Sequence, residues 1–187
     1  METLYIKNMV CDRCKMAVGQ SLKERGLHVL NVELGEVKVE ETLSAGMRSE
    51  VRASLESLGF ELLDDKRQQT IDKIKSAIIS LVHYHDNNSA LNLSAFLSSE
   101  LHQEYSALSK LFSEVEGKTI ERYYIEQRIE KVKELIKYDE LSLTQIAMKM
   151  NYSSTAYLSS QFKSVTGMTP SQFKRLKTNT RIPLDKI

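Results

Sequence analysis

Residues 141–173 read LSLTQIAMKMNYSSTAYLSSQFKSVTGMTPSQF, and residues 91–123 read LNLSAFLSSELHQEYSALSKLFSEVEGKTIERY. Offset by 50 positions, the two stretches agree where structure is decided. Leu91 falls on Leu141, Leu93 on Leu143, Leu108 on Leu158, Ser109 on Ser159 and Phe112 on Phe162. Val115 meets Val165, Gly117 meets Gly167, Thr119 meets Thr169, and Tyr123 meets Phe173. Self-similarity of this size marks a duplicated supersecondary unit. Within the second copy, Ser142 and Gln145 form a Ser-x-x-Gln capping box, and Ile146, Ala147 and Met150 an inner stripe. Asn151 stands where the chain must turn with positive φ, which asparagine tolerates. A second helix follows, with Tyr157, Leu158 and Phe162 expected inward and Gly167 as its stop. Thr169-Pro170-Ser171-Gln172 opens another helix with a cap, a first-turn proline and a capping-box glutamine. Helix, tight turn, helix is the helix-turn-helix plan.

Outward from the repeat, Ile125, Ile129, Val132 and Ile136 predict one long helix between the copies. Ile71, Ile74, Ile78 and Leu81 predict another before the first copy, ending near His83-x-His85. A metal site at those histidines is weighed against the commoner case of imidazoles at a solvated helix C-terminus, which the spacing favours.

Strand-like alternation occurs only before residue 65. Leu4-Tyr5-Ile6-Lys7 reads as a strand, and Cys14, Val18 and Leu22 as a helical stripe ending near Gly26. Leu30, Val32 and Leu34 alternate up to the glycine turn at Gly35-Glu36, and Val37 and Val39 continue the hairpin. Val51, Leu55 and Leu58 form a second helical stripe closed by Gly59, and Phe60 to Leu63 a last strand. The expected fold class is therefore an α+β, ferredoxin-like βαββαβ domain over residues 1–65. An all-α domain with two helix-turn-helix motifs, at about 91–117 and 141–167, follows over 66–187.

Charge divides the same way. Of 187 residues, 26 are basic and 25 acidic. Residues 1–65 carry 8 basic against 12 acidic side chains, and residues 66–187 carry 18 against 13. A basic half joined to an acidic one hints at a nucleic-acid-facing part with a separate partner domain. No apolar run approaches the ~20 residues of a membrane span, and Met1-Glu2-Thr3-Leu4 lacks a signal peptide's layout, so a cytoplasmic location is expected. The sequence shows no glycine-rich phosphate loop, nucleophile elbow or paired-carboxylate motif, which argues against an enzyme.

Residues from about 67 to 177 closely resemble the DNA-binding domain of AraC-type transcriptional regulators. The resemblance rests on Leu108-x-x-x-Phe112-x-x-x-x-Gly117, on Ile146-Ala147-x-x-x-Asn151-Tyr152-Ser153, and on Tyr157-Leu158-Ser159-x-x-Phe162-Lys163 with Gly167-Met168-Thr169-Pro170-x-x-Phe173-Lys174. Asn151 replaces the family's usual turn glycine, Leu97 a usual small alanine, and Leu101 stands where the first copy's turn glycine would be. Residues 1 to about 65 resemble a heavy-metal-associated domain, as in copper chaperones. That match rests on Met9-Val10-Cys11-Asp12-Arg13-Cys14 and on Gly59-Phe60, with Asn8, Asp12 and Arg13 departing from the usual residues.

The chain's two cysteines, Cys11 and Cys14, are candidate metal ligands. Soft thiolates select Cu(I) and similar ions, two sulfurs satisfy a near-linear Cu(I) site, and a helix N-terminus is expected to lower the thiol pKa. Met9 is a weaker candidate ligand. Two other readings stay open: a small apolar core residue, or a redox pair. The thioredoxin plan, however, wants a proline facing the thiols, and residues 1–169 contain none.

By the AraC-type resemblance, Ser106, Ser109 and Lys110 face outward from the first recognition helix, and Thr155, Ala156, Ser159, Ser160 and Lys163 from the second. Ser153, Ser154, Lys163, Lys174, Arg175 and Lys177 are candidate phosphate contacts. These side chains are small, so shape readout is expected to carry much of the specificity. Glu104, Glu114 and Glu116 make the first copy the weaker binder. The expected function is a DNA-binding regulator whose N-terminal domain senses a soft metal. Its partners would be the major groove of double-stranded DNA, RNA polymerase or other transcription machinery, and a second copy of itself in a homodimer. The rivals are a metal-trafficking protein with a partner-docking helical half, and a regulator whose first domain only mediates protein interaction.

Overall fold

A computed structural model of the chain describes residues 1–64, 66–85, 91–176 and 182–187. It divides into two compact units, Met1–Ser76 and Ala77–Ile187. The expected division at 65/66 falls just before the helix that starts at Lys66. The units part further on, inside that helix.

The first unit runs β1 (Glu2–Lys7), α1 (Asp12–Lys23), β2 (Val29–Glu33), β3 (Glu36–Val39), α2 (Ala45–Ser57), β4 (Glu61–Leu63) and the start of α3 (Lys66–Ile79). Its four strands lie in the order β2-β3-β1-β4, every neighbouring pair antiparallel. Leu4, Ile6, Val37, Val39 and Leu62 meet Val18, Leu22, Val51 and Leu55 in one apolar core. Gly35, at φ 84°, completes the two-residue hairpin turn, and a Cβ there would lie 2.8 Å from Asp72 Oδ2.

Two apolar expectations fail here for local reasons. Leu30 is exposed, because the β2–β3 register slips between Val29 and Asn31. An extra residue in one strand flips the alternation, and Val29 packs inward instead. Leu58 is exposed as well: α2 has ended at Ser57, so the residue caps the helix instead of extending its stripe.

In the second unit α3 widens to i→i+5 hydrogen bonding over Ser80–Tyr84, with His85 N–H donating to Ser80 O at 3.2 Å. Then come α4 (Leu93–Leu101), α5 (Tyr105–Glu116), α6 (Ile120–Tyr138), α7 (Leu143–Lys149), α8 (Thr155–Thr166), α9 (Pro170–Arg175) and a 3₁₀ turn at Leu184–Lys186. The repeat is visible in its caps. Asn92 and Ser142 cap α4 and α7, Thr119 and Thr169 cap α6 and α9, and Gly117 and Gly167 close α5 and α8 in the left-handed region. It is visible again in its aromatic pairs, Phe112–Tyr123 at 5.6 Å between centroids and Phe162–Phe173 at 5.4 Å. Among the described residues no helix is long and apolar enough to cross a membrane.

Candidate nucleic-acid interface and thiol pair

Helices α5 and α8 are built alike. Leu108 and Phe112 on one, and Leu158 and Phe162 on the other, are fully buried. The opposite faces hold Ser106, Ala107 and Lys110, all exposed, and Ala156, Ser160 and Lys163, also exposed; Ser109, Thr155 and Ser159 are half-buried. The predicted outward positions of both helices thus lie on polar faces of small side chains. Such faces let a backbone approach base edges closely.

Ser153 and Ser154 are exposed before α8. Ser154 is its N-cap, its Oγ accepting from Tyr157 N–H at 3.0 Å, so its acceptor is in use while its O–H can still donate. Lys174 forms an exposed ion pair with Asp139, across α9 and the end of α6. A phosphate contact from Lys174 would have to displace that carboxylate. Arg175 is exposed in the last turn of α9, and Lys177 lies outside the described residues.

Tyr157 corrects the sequence reading. It was expected inward beside Leu158 and Phe162 but is 52% exposed. A residue one position before a buried one sits about 100° round the helix. Tyr157 lies over Gln161 and Ser164, on the polar side. It packs edge-on to Tyr152 at 5.9 Å, and its hydroxyl accepts from Gln161 Nε2 at 3.4 Å. The Oε1 of the same Gln161 accepts from the Tyr152 hydroxyl at 2.7 Å.

Below this group lies Arg128 of α6, 8% exposed. Its Nη2 donates to Met150 O at 2.7 Å, capping the end of α7, and its guanidinium lies 3.8 Å from the Tyr152 ring centroid. Burial pushes the Tyr152 phenol up to about 12, with Arg128 opposing and Tyr124 and Tyr157 adding to the rise. Sequence reasoning missed Arg128, although a charge beside Ile125 and Val132 on an apolar stripe was the available signal.

The turns of the two copies differ. Asn151 adopts φ 53°, as expected. In the first copy the left-handed residue is His102, at φ 52°, one place beyond Leu101, because α4 runs two residues longer than α7. Around α6, Gln127 is fully buried, its Oε1 3.0 Å from His83 Nε2 and its Nε2 donating to Tyr123 Oη at 2.9 Å. His85 turns back onto Ser80 O, so His83 and His85 serve different partners.

In the first unit, Cys11 is the N-cap of α1 and Cys14 lies in its first turn, with the two sulfurs 3.3 Å apart and both half-buried. The expectation of a lowered pKa fails for Cys14. Burial pushes its thiol up, and the neighbouring Cys11 adds to this, against the lowering contacts of the Val10 and Cys11 backbone. Met9 is 2% exposed, within the apolar core against which Cys14 also packs. Among the described residues no cluster of three or more potential ligands occurs.

Residues 97–176 match a family described as a helix-turn-helix domain. The chain is 33% identical over 114 residues to an HTH-type transcriptional regulator of Staphylococcus aureus, covering 60% of this chain and 14% of that one. It is 29% identical over 114 residues to the HTH-type transcriptional activator RhaR of Salmonella dublin, covering 61% of this chain and 38% of that one. Its fold resembles the C-terminal domain of AraT, a response regulator from Geobacillus stearothermophilus, with a TM-score of 0.51 and 23% identity, over 63% of this chain and 97% of that domain. Residues 97–176 thus match a helix-turn-helix domain, on a fold like that of the AraT C-terminal domain. The chain spans only 14% and 38% of the length of the two regulators named. Both relatives are HTH-type regulators of transcription. The family match does not reach residues 1–65, and the heavy-metal-associated resemblance gains no support from it.

Proposed function

We propose that the chain is a sequence-specific transcriptional regulator that inserts α5 and α8 into successive major-groove segments of one duplex, roughly one helical turn apart. The observation that carries this reading is the matched pair of small, polar, outward faces on two helices with the same buried stripe. Ser106, Ser109, Thr155, Ala156, Ser159 and Ser160 meet base edges. Lys110, Lys163, Arg175, Ser153 and Ser154 meet phosphates, with Lys174 and Lys177 as further cations. Transcription machinery and a second copy of the chain are its protein partners in this reading. The test is fluorescence anisotropy of the full chain on duplex DNA between 50 and 200 mM salt. Binding that weakens at least tenfold over that range supports phosphate contacts, and salt-insensitive binding overturns the reading.

The N-terminal unit is read as a ferredoxin-like sensor domain on the strength of its βαββαβ order and β2-β3-β1-β4 sheet. Cys11 and Cys14 are the residues that would hold a soft ion such as Cu(I). At metal–sulfur bonds of about 2.3 Å, sulfurs 3.3 Å apart subtend roughly a right angle at the ion, so a near-linear site needs one thiol to change rotamer. With both side chains partly open to solvent, the donor set fits such an ion. Cys11→Ser/Cys14→Ser protein should lose copper binding and any copper effect on DNA affinity. An unchanged copper effect would leave the unit as an interaction domain.

A further inference from the structure

We infer that Tyr157 is a specificity-determining side chain of the second recognition helix, held toward the duplex by a relay from buried Arg128 and Tyr152 through half-buried Gln161. The inference rests on the DNA-binding reading above. Tyr157 is the third residue of α8, and a recognition helix contacts bases with its N-terminal residues. It is the one large side chain among the small outward residues of that turn, next to Ala156 and near Ser160. The corresponding position of α5 is Ala107, so only the second copy presents a ring here.

The ring is held on two sides. Tyr152 packs against it edge-on at 5.9 Å, and Gln161 Nε2 donates to its hydroxyl at 3.4 Å. Gln161 is fixed in turn by the Tyr152 hydroxyl at 2.7 Å, and Tyr152 by Arg128 at 3.8 Å. Arg128 also anchors the end of α7 through Met150 O. A rigid aromatic loses little conformational freedom on binding, which favours affinity as well as selectivity. Because Tyr157 Oη accepts from Gln161, its own proton is left to donate outward. The acceptors such a donor finds in a major groove are purine N7, guanine O6, thymine O4 and phosphate oxygens, and the ring edge suits a thymine methyl. Arg128 and Gln161 are positioning residues.

The full chain is first used to select duplexes from random DNA. The affinities of wild type, Tyr157→Ala, Tyr157→Phe and Gln161→Ala are then measured on the selected duplex and on single-base-pair substitutions of it. Tyr157→Ala should bind the selected duplex roughly tenfold more weakly and lose discrimination at one base pair, with its melting temperature unchanged. Tyr157→Phe should keep the ring's share of that discrimination and lose the hydroxyl's. Gln161→Ala should weaken preference at the same base pair, an effect that a purely structural role would not confine to one position. Wild-type affinity and an unchanged base-pair profile in Tyr157→Ala and Tyr157→Phe would overturn the inference while leaving the regulator reading intact. A wild-type chain that selects no duplex would remove both.

Discussion

The two helix-turn-helix copies share a skeleton and differ in almost everything laid on it. Both bury a leucine and a phenylalanine four residues apart, cap their first helices with Asn92 or Ser142, and close on glycines at positive φ. Yet α8 starts on a serine whose hydroxyl caps it, while α5 starts on Glu104, whose side chain makes no capping bond. Copy two is tied to α6 by Arg128. Fifty positions earlier stands Ile78, which is simply buried. Copy one has its own ties, Tyr105 to Glu121 and Lys118 with Arg122 to Glu126, where the second copy has Thr155, Ser171, Met168, Gln172 and Leu176. Duplication preserved what packing requires and left the surface and the polar anchors to diverge. The account therefore predicts equal scaffolds and unequal readers.

The largest effects should be symmetrical. Phe112→Ala and Phe162→Ala each remove one ring of an equivalent pair and should each cost about 3–5 kcal/mol in denaturant unfolding of the full chain. A large difference between them would break the claim of equal scaffolds. Unequal reading should show at the outward alanines. Ala156→Glu should weaken DNA binding about a hundredfold and Ala107→Glu about tenfold, since a carboxylate set against phosphates costs most where contact is closest. Equal losses, measured by anisotropy, would erase the distinction.

Arg128→Met should destabilise the second unit by roughly 1–3 kcal/mol, by removing the Nη2 bond to Met150 O and the guanidinium's contact with the Tyr152 ring. Thermal unfolding checks this, and no corresponding charge exists to remove in copy one. At the turns, His102→Gly should stabilise by about 0.5–1 kcal/mol, because histidine bears the left-handed penalty that glycine avoids. Asn151→Gly should gain less, since asparagine already tolerates that conformation.

The smallest effect is one of pH. The Tyr105 hydroxyl holds Glu121 below the usual carboxylate range. Burial alone would raise Glu126, but its pairs with Lys118 and Arg122 outweigh that and hold it low as well. A carboxylate with a depressed folded pKa contributes stability above its unfolded value, about 4.3, and loses it as pH falls through the folded value. Acid should therefore loosen α5 and the start of α6 before α8 and α9. Amide exchange below pH 4 reads this order, and simultaneous loosening would contradict it.

Much of this was legible in the chain. Capping and turn residues act locally, so Ser142, Gln145, Thr169, Gln172, Asn151 and Gly167 announced their roles, and the repeat located α5 and α8. What escaped was set by tertiary context. A bulge put Leu30 outside, an early helix end put Leu58 outside, and two extra residues in α4 moved its turn to His102. Tyr157 is aromatic and adjoins the inward Leu158, yet its i+4 neighbour Gln161 already marks the polar side. The Lys174–Asp139 pair joins residues 35 apart, which no local pattern reveals. At the thiols the helix start was foreseen, while the burial that raises Cys14 depends on packing that sequence spacing does not encode.

Hydroxyl-radical footprinting of the full chain on a selected duplex tests the central claim most directly. Two protected windows about one helical turn, ~10 bp, apart are predicted, with Ala107→Glu clearing one and Ala156→Glu the other. A single window, unaffected by Ala107→Glu, would contradict the account of two readers on one duplex.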